Sequence, residues 1–185
     1  MENVVLVGPM GAGKSTVGRG LAALLKRQFY DSDHEIEKRT GVDIPTIFEF
    51  EGEEGFRQRE TEMLRELLQR PNIVLATGGG IVMRPENREL LKRHFVIYLR
   101  VPVAEQHRRT RKSSRRPLLN AAGDPRQRLE ELFRVRDPLY SEVASIVLQG
   151  RNQRVRDAVQ AACQALRSAR PDLCPLIAVP ERPSV

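Results

Sequence analysis

The stretch Gly8-Pro-Met-Gly-Ala-Gly-Lys14-Ser15-Thr16 has the spacing G-x-x-x-x-G-K-[ST], and its flanks suit it. Residues 3–7 (NVVLV) form a β-branched run of strand length. From Lys14 onward Val17, Leu21, Leu24 and Leu25 recur on one helical face. A strand, a glycine loop and a helix in that order make a phosphate cradle. Glycines let successive backbone N–H groups turn inward, and the helix N-terminus adds the positive end of its dipole. The cradle is expected to hold a nucleoside triphosphate through Gly11, Ala12, Gly13 and Thr16. Lys14 would bridge the terminal phosphates, and the Ser15 hydroxyl would ligate Mg²⁺.

The rest of the chain repeats this rhythm. Strand-like runs fall at 29–30, 73–77, 95–99 and 144–148, with helical patterns between them. Helices are expected from about 56 to 70, from Pro85, at 103–111, at 126–136 and at 152–170. The segment 33–55 reads as short helical pieces broken at Gly41, Pro45 and Gly52. Five strands alternating with helices predict an α/β fold, a five-stranded parallel sheet flanked by helices in three layers. A chain of 185 residues buries enough core for one such domain, expected over 1–170, without disulfides or metal. Cys163 and Cys174 show no metal-type spacing and read as reduced thiols. No apolar run approaches the roughly 18 residues of a membrane span, and no basic leader precedes the first strand. A cytoplasmic protein without a membrane partner is expected. The tail 171–185, with prolines at 171, 175, 180 and 183, reads as loosely draped or disordered.

A phosphate loop alone does not separate kinases from GTPases or ATP-driven machines. The N-K-x-D motif that reads guanine in GTPases is absent from the sequence, and the length suits a compact kinase. Further motifs follow the loop in order: Asp31-Ser-Asp33, Gly52-Glu-Glu-Gly-Phe-Arg57, Gly78-Gly-Gly80, Arg116-Pro-Leu-Leu and Arg136-Asp-Pro-Leu-Tyr140. In this order and spacing the chain resembles the shikimate kinases over residues 1 to about 165. The resemblance implies a P-loop kinase fold with a substrate-binding insertion at 33–61 and a lid at 111–124. It also implies ATP and Mg²⁺ as cofactors and phosphorylation of the shikimate 3-hydroxyl in the route to aromatic amino acids.

Shikimate is a small ring with one carboxylate and three hydroxyls, so its site needs cations at one end and acceptors at the other. The resemblance gives Arg57 and Arg136 the carboxylate, which a planar guanidinium grips with two parallel hydrogen bonds. It gives Asp33 the reacting hydroxyl, as acceptor or general base, and places Asp31 near the metal through water. Read alone, Asp31 and Asp33 are equally a helix N-cap and a first-turn acid. Gly79 would bring a backbone N–H to the substrate. Arg116 would be a catalytic lid arginine on the phosphates, with Arg109 along the adenine face and Gln153 at the base. Another small-metabolite kinase of this fold, such as a gluconate kinase, shares much of this pattern.

The net charge of +7 raises nucleic acid as a partner, and residues 108–116 hold six cations and no acid. A single short basic loop in a chain with 5% aromatics and no tryptophan does not make a stacking surface. The expectation is therefore a monomer that takes shikimate and ATP and no specific nucleic acid.

Overall fold

The computed structural model describes residues 2–110, 124–150 and 154–174. Five strands pair in parallel: β1 (Val4–Val7), β2 (Gln28–Asp31), β3 (Ile73–Ala76), β4 (Phe95–Arg100) and β5 (Ile146–Gln149), in the spatial order β2-β3-β1-β4-β5. The three inner strands are apolar and almost fully buried, as strands covered on both faces must be. The edge strands carry polar residues at their margins, Gln28 and Asp31 in β2 and Gln149 in β5. Register is set by apolar pairs such as Val4 with Val74 and Leu6 with Ile97.

Alternation along the strands divides the core in two. Val4, Leu6, Val74 and Ile97 face α1 (Lys14–Leu25) and α7 (Val155–Ala169). Val5, Val7, Leu75 and Tyr98 face the other layer, formed by α2 (Ser32–Thr40), α3 (Ile44–Gln69), α4 (Pro85–Leu91) and α6 (Pro125–Val143). A short α5 (Val103–Thr110) packs on α6. These are the three layers the strand–helix alternation predicts. Leu21, Leu64, Leu67 and Ile97 are fully buried, each contributing about 1.5–3 kcal/mol.

Four details depart from the sequence reading. Leu24, assigned to the buried face of α1, is 40% exposed, because the helix turns Val17, Gly18, Leu21, Ala22 and Leu25 inward and leaves position 24 at the margin. Pro45 does not break the insertion: it occupies the first turn of α3, where its missing N–H costs nothing, and Asp43 caps the helix by accepting from the Thr46 N–H at 3.0 Å. Helix α6 runs past Arg136 to Val143 with Pro138 inside it, sustained by burial of Tyr140 and Val143. The Pro-rich tail is not loose at its start, since Pro171–Leu173 form a 3-10 turn that buries Leu173 and Cys174 against α7 and α1. Gly41 and Gly52 do punctuate the chain as read. Gly41 closes α2, and Gly52, at φ 69°, divides α3 into two helical segments.

A candidate kinase active site

All strands point the same way, so their C-terminal ends open onto one edge, where sheets of this class bind ligands. The phosphate loop leaves the central strand β1, Asp31 ends β2, and residues 77–80 follow β3. Gly13, at φ 88°, is the N-cap of α1, and no side chain caps that helix. Its first N–H groups therefore face outward from the loop, available to an anion. Lys14 folds back along the loop, with Nζ donating to the carbonyls of Gly8 (2.8 Å) and Pro9 (2.9 Å).

Asp31 has two tasks. Its Oδ1 caps α2 by accepting from the N–H groups of Asp33 (3.1 Å) and His34 (3.4 Å). Its Oδ2 accepts from the Ser15 hydroxyl at 2.5 Å. The helix-cap reading of this residue is thus observed, and its second oxygen is turned to the phosphate loop. Ser15 and Asp31 bring two hard oxygen donors together beside the loop, which suits Mg²⁺. That ion takes one or two protein oxygens and fills its shell with phosphate and water. No cluster of three or more His, Cys, Asp or Glu side chains able to hold a metal exists among the described residues.

Asp33 lies in the first turn of α2, and its Oδ1 is buried without a hydrogen-bond partner among the described residues. Burial first, then the neighbouring carboxylates of Glu60 and Asp31, push its carboxyl up to about 7, against the opposing pull of Lys14 and Arg57. Arg57, just past the Gly52 break, is 6% exposed. Its guanidinium donates to Glu60 at 2.8 Å and to Glu53 at 3.0 Å. Burial works against its charge, and the two carboxylates more than offset that, so its pKa is raised. Glu60 is wholly buried, and desolvation lifts its carboxyl above the usual range although Arg57, Arg136 and Arg84 pull it down.

Arg136 rises from α6, also 6% exposed, and gives one N–H to the Gly79 carbonyl at 3.1 Å, while its Nε has no partner among the described residues. The Tyr140 hydroxyl, one helical turn on, donates to that same carbonyl. A side chain at 78 or 80 would displace these neighbours. A Cβ at Gly80 would stand 2.0 Å from an Arg57 nitrogen, and one at Gly78 would stand 2.5 Å from Glu60 and 2.6 Å from Asp33. The Ser32 hydroxyl fixes the turn by accepting from the Gly78 N–H at 3.1 Å.

Two cavities flank the phosphate loop. One, of about 380 Å³, is lined by Lys14, Ser15, Asp31, Asp33, Arg57, Glu60, Gly79 and Arg136. The other, of about 590 Å³, lies between Ala12, Val17, Leu99, Leu148, Gly150, Val155 and Ala158, with Arg108 and Arg109 at its rim. Gly11, Gly13 and Thr16 line both. Arg109 donates to Glu105 (2.5 Å) and to the Gly11 carbonyl (3.1 Å). The structure thus gathers Lys14, Ser15, Asp31, Asp33, Arg57, Gly79 and Arg136 around one cavity and brings Arg109 to the other. Arg116, Gln153 and all of the 111–124 lid but Asp124, which caps α6, lie outside the described residues.

Glu60 and Tyr140 went unassigned in the sequence reading. A signal for Glu60 existed: it falls in helical register with Phe56, Met63, Leu64 and Leu67, and a carboxylate on a buried face needs a cation. Tyr140 stands four residues after Arg136, which places both on one face of α6.

A phosphate loop whose wall is shared with a cavity of buried, paired charges defines a P-loop kinase of small metabolites. The family model for shikimate kinase matches residues 10–167, and the chain belongs to that family. It is 57% identical over 175 residues to the shikimate kinase of Thioalkalivibrio sulfidiphilus (strain HL-EbGR7), covering 94% of this chain and 92% of the relative. It is also 57% identical over 165 residues to the shikimate kinase of Nitrosospira multiformis (strain ATCC 25196), covering 89% and 84%. The solved shikimate kinase from Acinetobacter baumannii in complex with shikimate superposes with a TM-score of 0.89 at 52% identity, over 92% of this chain and 95% of that one.

Proposed function

We propose that this protein transfers the γ-phosphoryl group of ATP to the 3-hydroxyl of shikimate, giving shikimate 3-phosphate and ADP on the route to aromatic amino acids. The observation that carries the reading is the shared wall. Gly11, Gly13 and Thr16 border both cavities, so a phosphate held by the loop is presented to whatever occupies the charged side. That side offers two buried guanidiniums, Arg57 and Arg136, and an unpartnered carboxylate oxygen on Asp33. An acceptor with a carboxylate at one end and hydroxyls at the other complements it.

Phosphoryl transfer depends on alignment and on stabilising charge. Asp33 accepts a hydrogen bond from the attacking hydroxyl and orients it. With its carboxyl near neutrality the residue also takes the proton as the new P–O bond forms. Lys14 exchanges its loop carbonyls for phosphate oxygens. Arg57 and Arg136 hold the ring by its carboxylate, and the Gly79 backbone contacts it. Mg²⁺, held by Ser15 and through water by Asp31, would neutralise charge on the phosphate oxygens. Arg116, outside the described residues, is assigned to the transferring phosphate on its motif, and Gln153 to the base. We place the enzyme in the cytoplasm, where its ATP is supplied, and read it as a monomer. No helix among the described residues is long and apolar enough to cross a membrane.

A coupled assay of ADP release with shikimate, quinate, gluconate and a nucleoside monophosphate tests this. Shikimate should be turned over far faster than the other three. Turnover of gluconate or a nucleotide at a comparable rate would overturn the substrate assignment.

A further inference from the structure

The two cysteines lie on the face of the sheet opposite the acceptor cavity. Cys163 sits on α7 between the buried Ala162 and Leu166, and Cys174 follows the 3-10 turn of the C-terminal segment. Their sulfurs are 3.7 Å apart, and both are free thiols. Bond formation requires an approach to about 2.05 Å, and the two sulfurs already stand in contact. Burial and the neighbouring Cys174 sulfur raise the Cys163 thiol, with the Arg167 cation opposing them, so the closeness of the second sulfur, and not a ready thiolate, carries the reaction. Cys163 is half-buried and reachable from solvent, whereas Cys174 is 4% exposed.

We propose that Cys163 and Cys174 form a dithiol modification site, which a peroxide converts to an intramolecular disulfide fastening the C-terminal segment to α7. The Cys163 sulfur attacks the peroxide O–O bond and becomes a sulfenic acid, releasing water. The Cys174 thiolate then attacks that sulfur, the S–O bond breaks, and a second water leaves. Two thiols and one hydrogen peroxide give one disulfide and two waters, the sulfurs losing the two electrons the peroxide gains.

The bond would close over a region that non-covalent contacts already hold. The Leu173 carbonyl accepts from Arg27 at 2.9 Å, and Arg170 pairs with Glu2 and Asp172. Leu173 and Cys174 pack in the core half that contains Leu25 of α1 and Leu166 of α7. Neither cysteine lines either cavity. The disulfide should therefore act on retention of the C-terminal segment and leave phosphoryl transfer alone.

The test uses the full reduced chain treated with a small molar excess of hydrogen peroxide, then blocked with a maleimide. Trypsin cleaves after Arg167, between the two cysteines, so only a disulfide keeps their peptides together. The expected product is a monomer lighter by two hydrogens, with no maleimide label and with Cys163 and Cys174 peptides joined until dithiothreitol is added. Its melting temperature should rise by about 5 °C, reversibly, as short-loop disulfides do in chains of this size. Cys163→Ser should abolish both changes, and turnover should be equal in all forms. Sulfinic acid at Cys163 with Cys174 still open to labelling, disulfide-linked dimers, or unreacted thiols would each overturn the proposal. An intact disulfide with an unchanged melting temperature would overturn the fastening role.

Discussion

The two cavities beside the phosphate loop are built on opposite principles. The acceptor side is a set of side chains that hold one another: Arg57 against Glu60 and Glu53, and Arg136 and Tyr140 on the Gly79 carbonyl. The other cavity, to which we assign the nucleotide, is mostly small and aliphatic among the described residues, with Val17, Leu148, Val155 and Ala158 as walls and Arg108 and Arg109 as its charged lining. Buried paired charges discriminate sharply because each mispairing leaves a desolvated group without a partner. Aliphatic walls and backbone tolerate change. Recognition of the small substrate should accordingly depend on single residues, and recognition of the nucleotide should be spread over many.

The largest effect belongs to the seam. Lys14→Ala should lower kcat by about a thousandfold or more, as loss of charge stabilisation in phosphoryl transfer does. Circular dichroism and melting should stay close to wild type, because the lysine is held by loop carbonyls and is only half-buried. Near-normal turnover would remove the loop from the chemistry and the comparison with it.

Next in size is Asp33. Asp33→Asn should cost about a hundredfold in kcat and remove a pH limb. The folded carboxyl is raised from 3.8 to about 7, so the native state holds a proton that the unfolded chain has lost between those values. Stability contributed by this group is present below the unfolded pKa and falls as pH rises through the folded one. Activity runs the other way, since the base must be free, and kcat/KM for shikimate should climb toward a plateau above about pH 7. An unchanged profile in Asp33→Asn would assign that limb elsewhere.

Arg57→Ala separates binding from chemistry. It should raise KM for shikimate by about thirtyfold or more with KM for ATP nearly unchanged. It also strands Glu60, and breaking a buried pair costs about 3–5 kcal/mol, so melting should fall by roughly 10 °C. Tyr140→Phe is milder. Removing one of two donors to the Gly79 carbonyl should raise KM for shikimate about three- to tenfold with little change in melting. An equal rise in both substrates' KM for either variant would mean that the sides are not separately built.

How far these features could be read in advance depended on whether they are local. The loop, its flanking strand and helix, and the α/β alternation are periodic within a dozen residues, and the structure follows them closely. Asp31, Asp33, Arg57 and Arg136 could be singled out in the sequence only because their motifs stand in order. Their convergence depends on parallel pairing across the chain, with Arg136 meeting a carbonyl 57 residues away. Glu60 was hidden by an ordinary rule, since an acid on a helix is usually solvated, although its register with Phe56 and Leu64 argued otherwise. Helix α6 outran its reading at Pro138 because burial of Tyr140 and Val143 outweighs one missing backbone hydrogen bond. The packed start of the tail depends on Arg27 reaching Leu173 over 146 residues, which no composition argument sees.

The smallest effect is expected on the nucleotide side, where it tests the comparison most directly. Arg109 resembles a specificity residue in sequence: a cation beside the loop, assigned to the adenine face. In the fold it is partly exposed at the rim, holding Glu105 and the Gly11 carbonyl. Ion pairs with that much solvent contribute about 0–1 kcal/mol, a factor of roughly five at most. The aliphatic walls of that cavity remain when it is removed. Arg109→Ala should therefore raise KM for ATP no more than about threefold, with kcat and KM for shikimate unchanged. The measurement is steady-state kinetics with each substrate varied at saturating levels of the other. A hundredfold loss of ATP affinity would show that the nucleotide side, like the acceptor side, rests on one charged side chain. The contrast between the two cavities would then be one of lining and not of sensitivity.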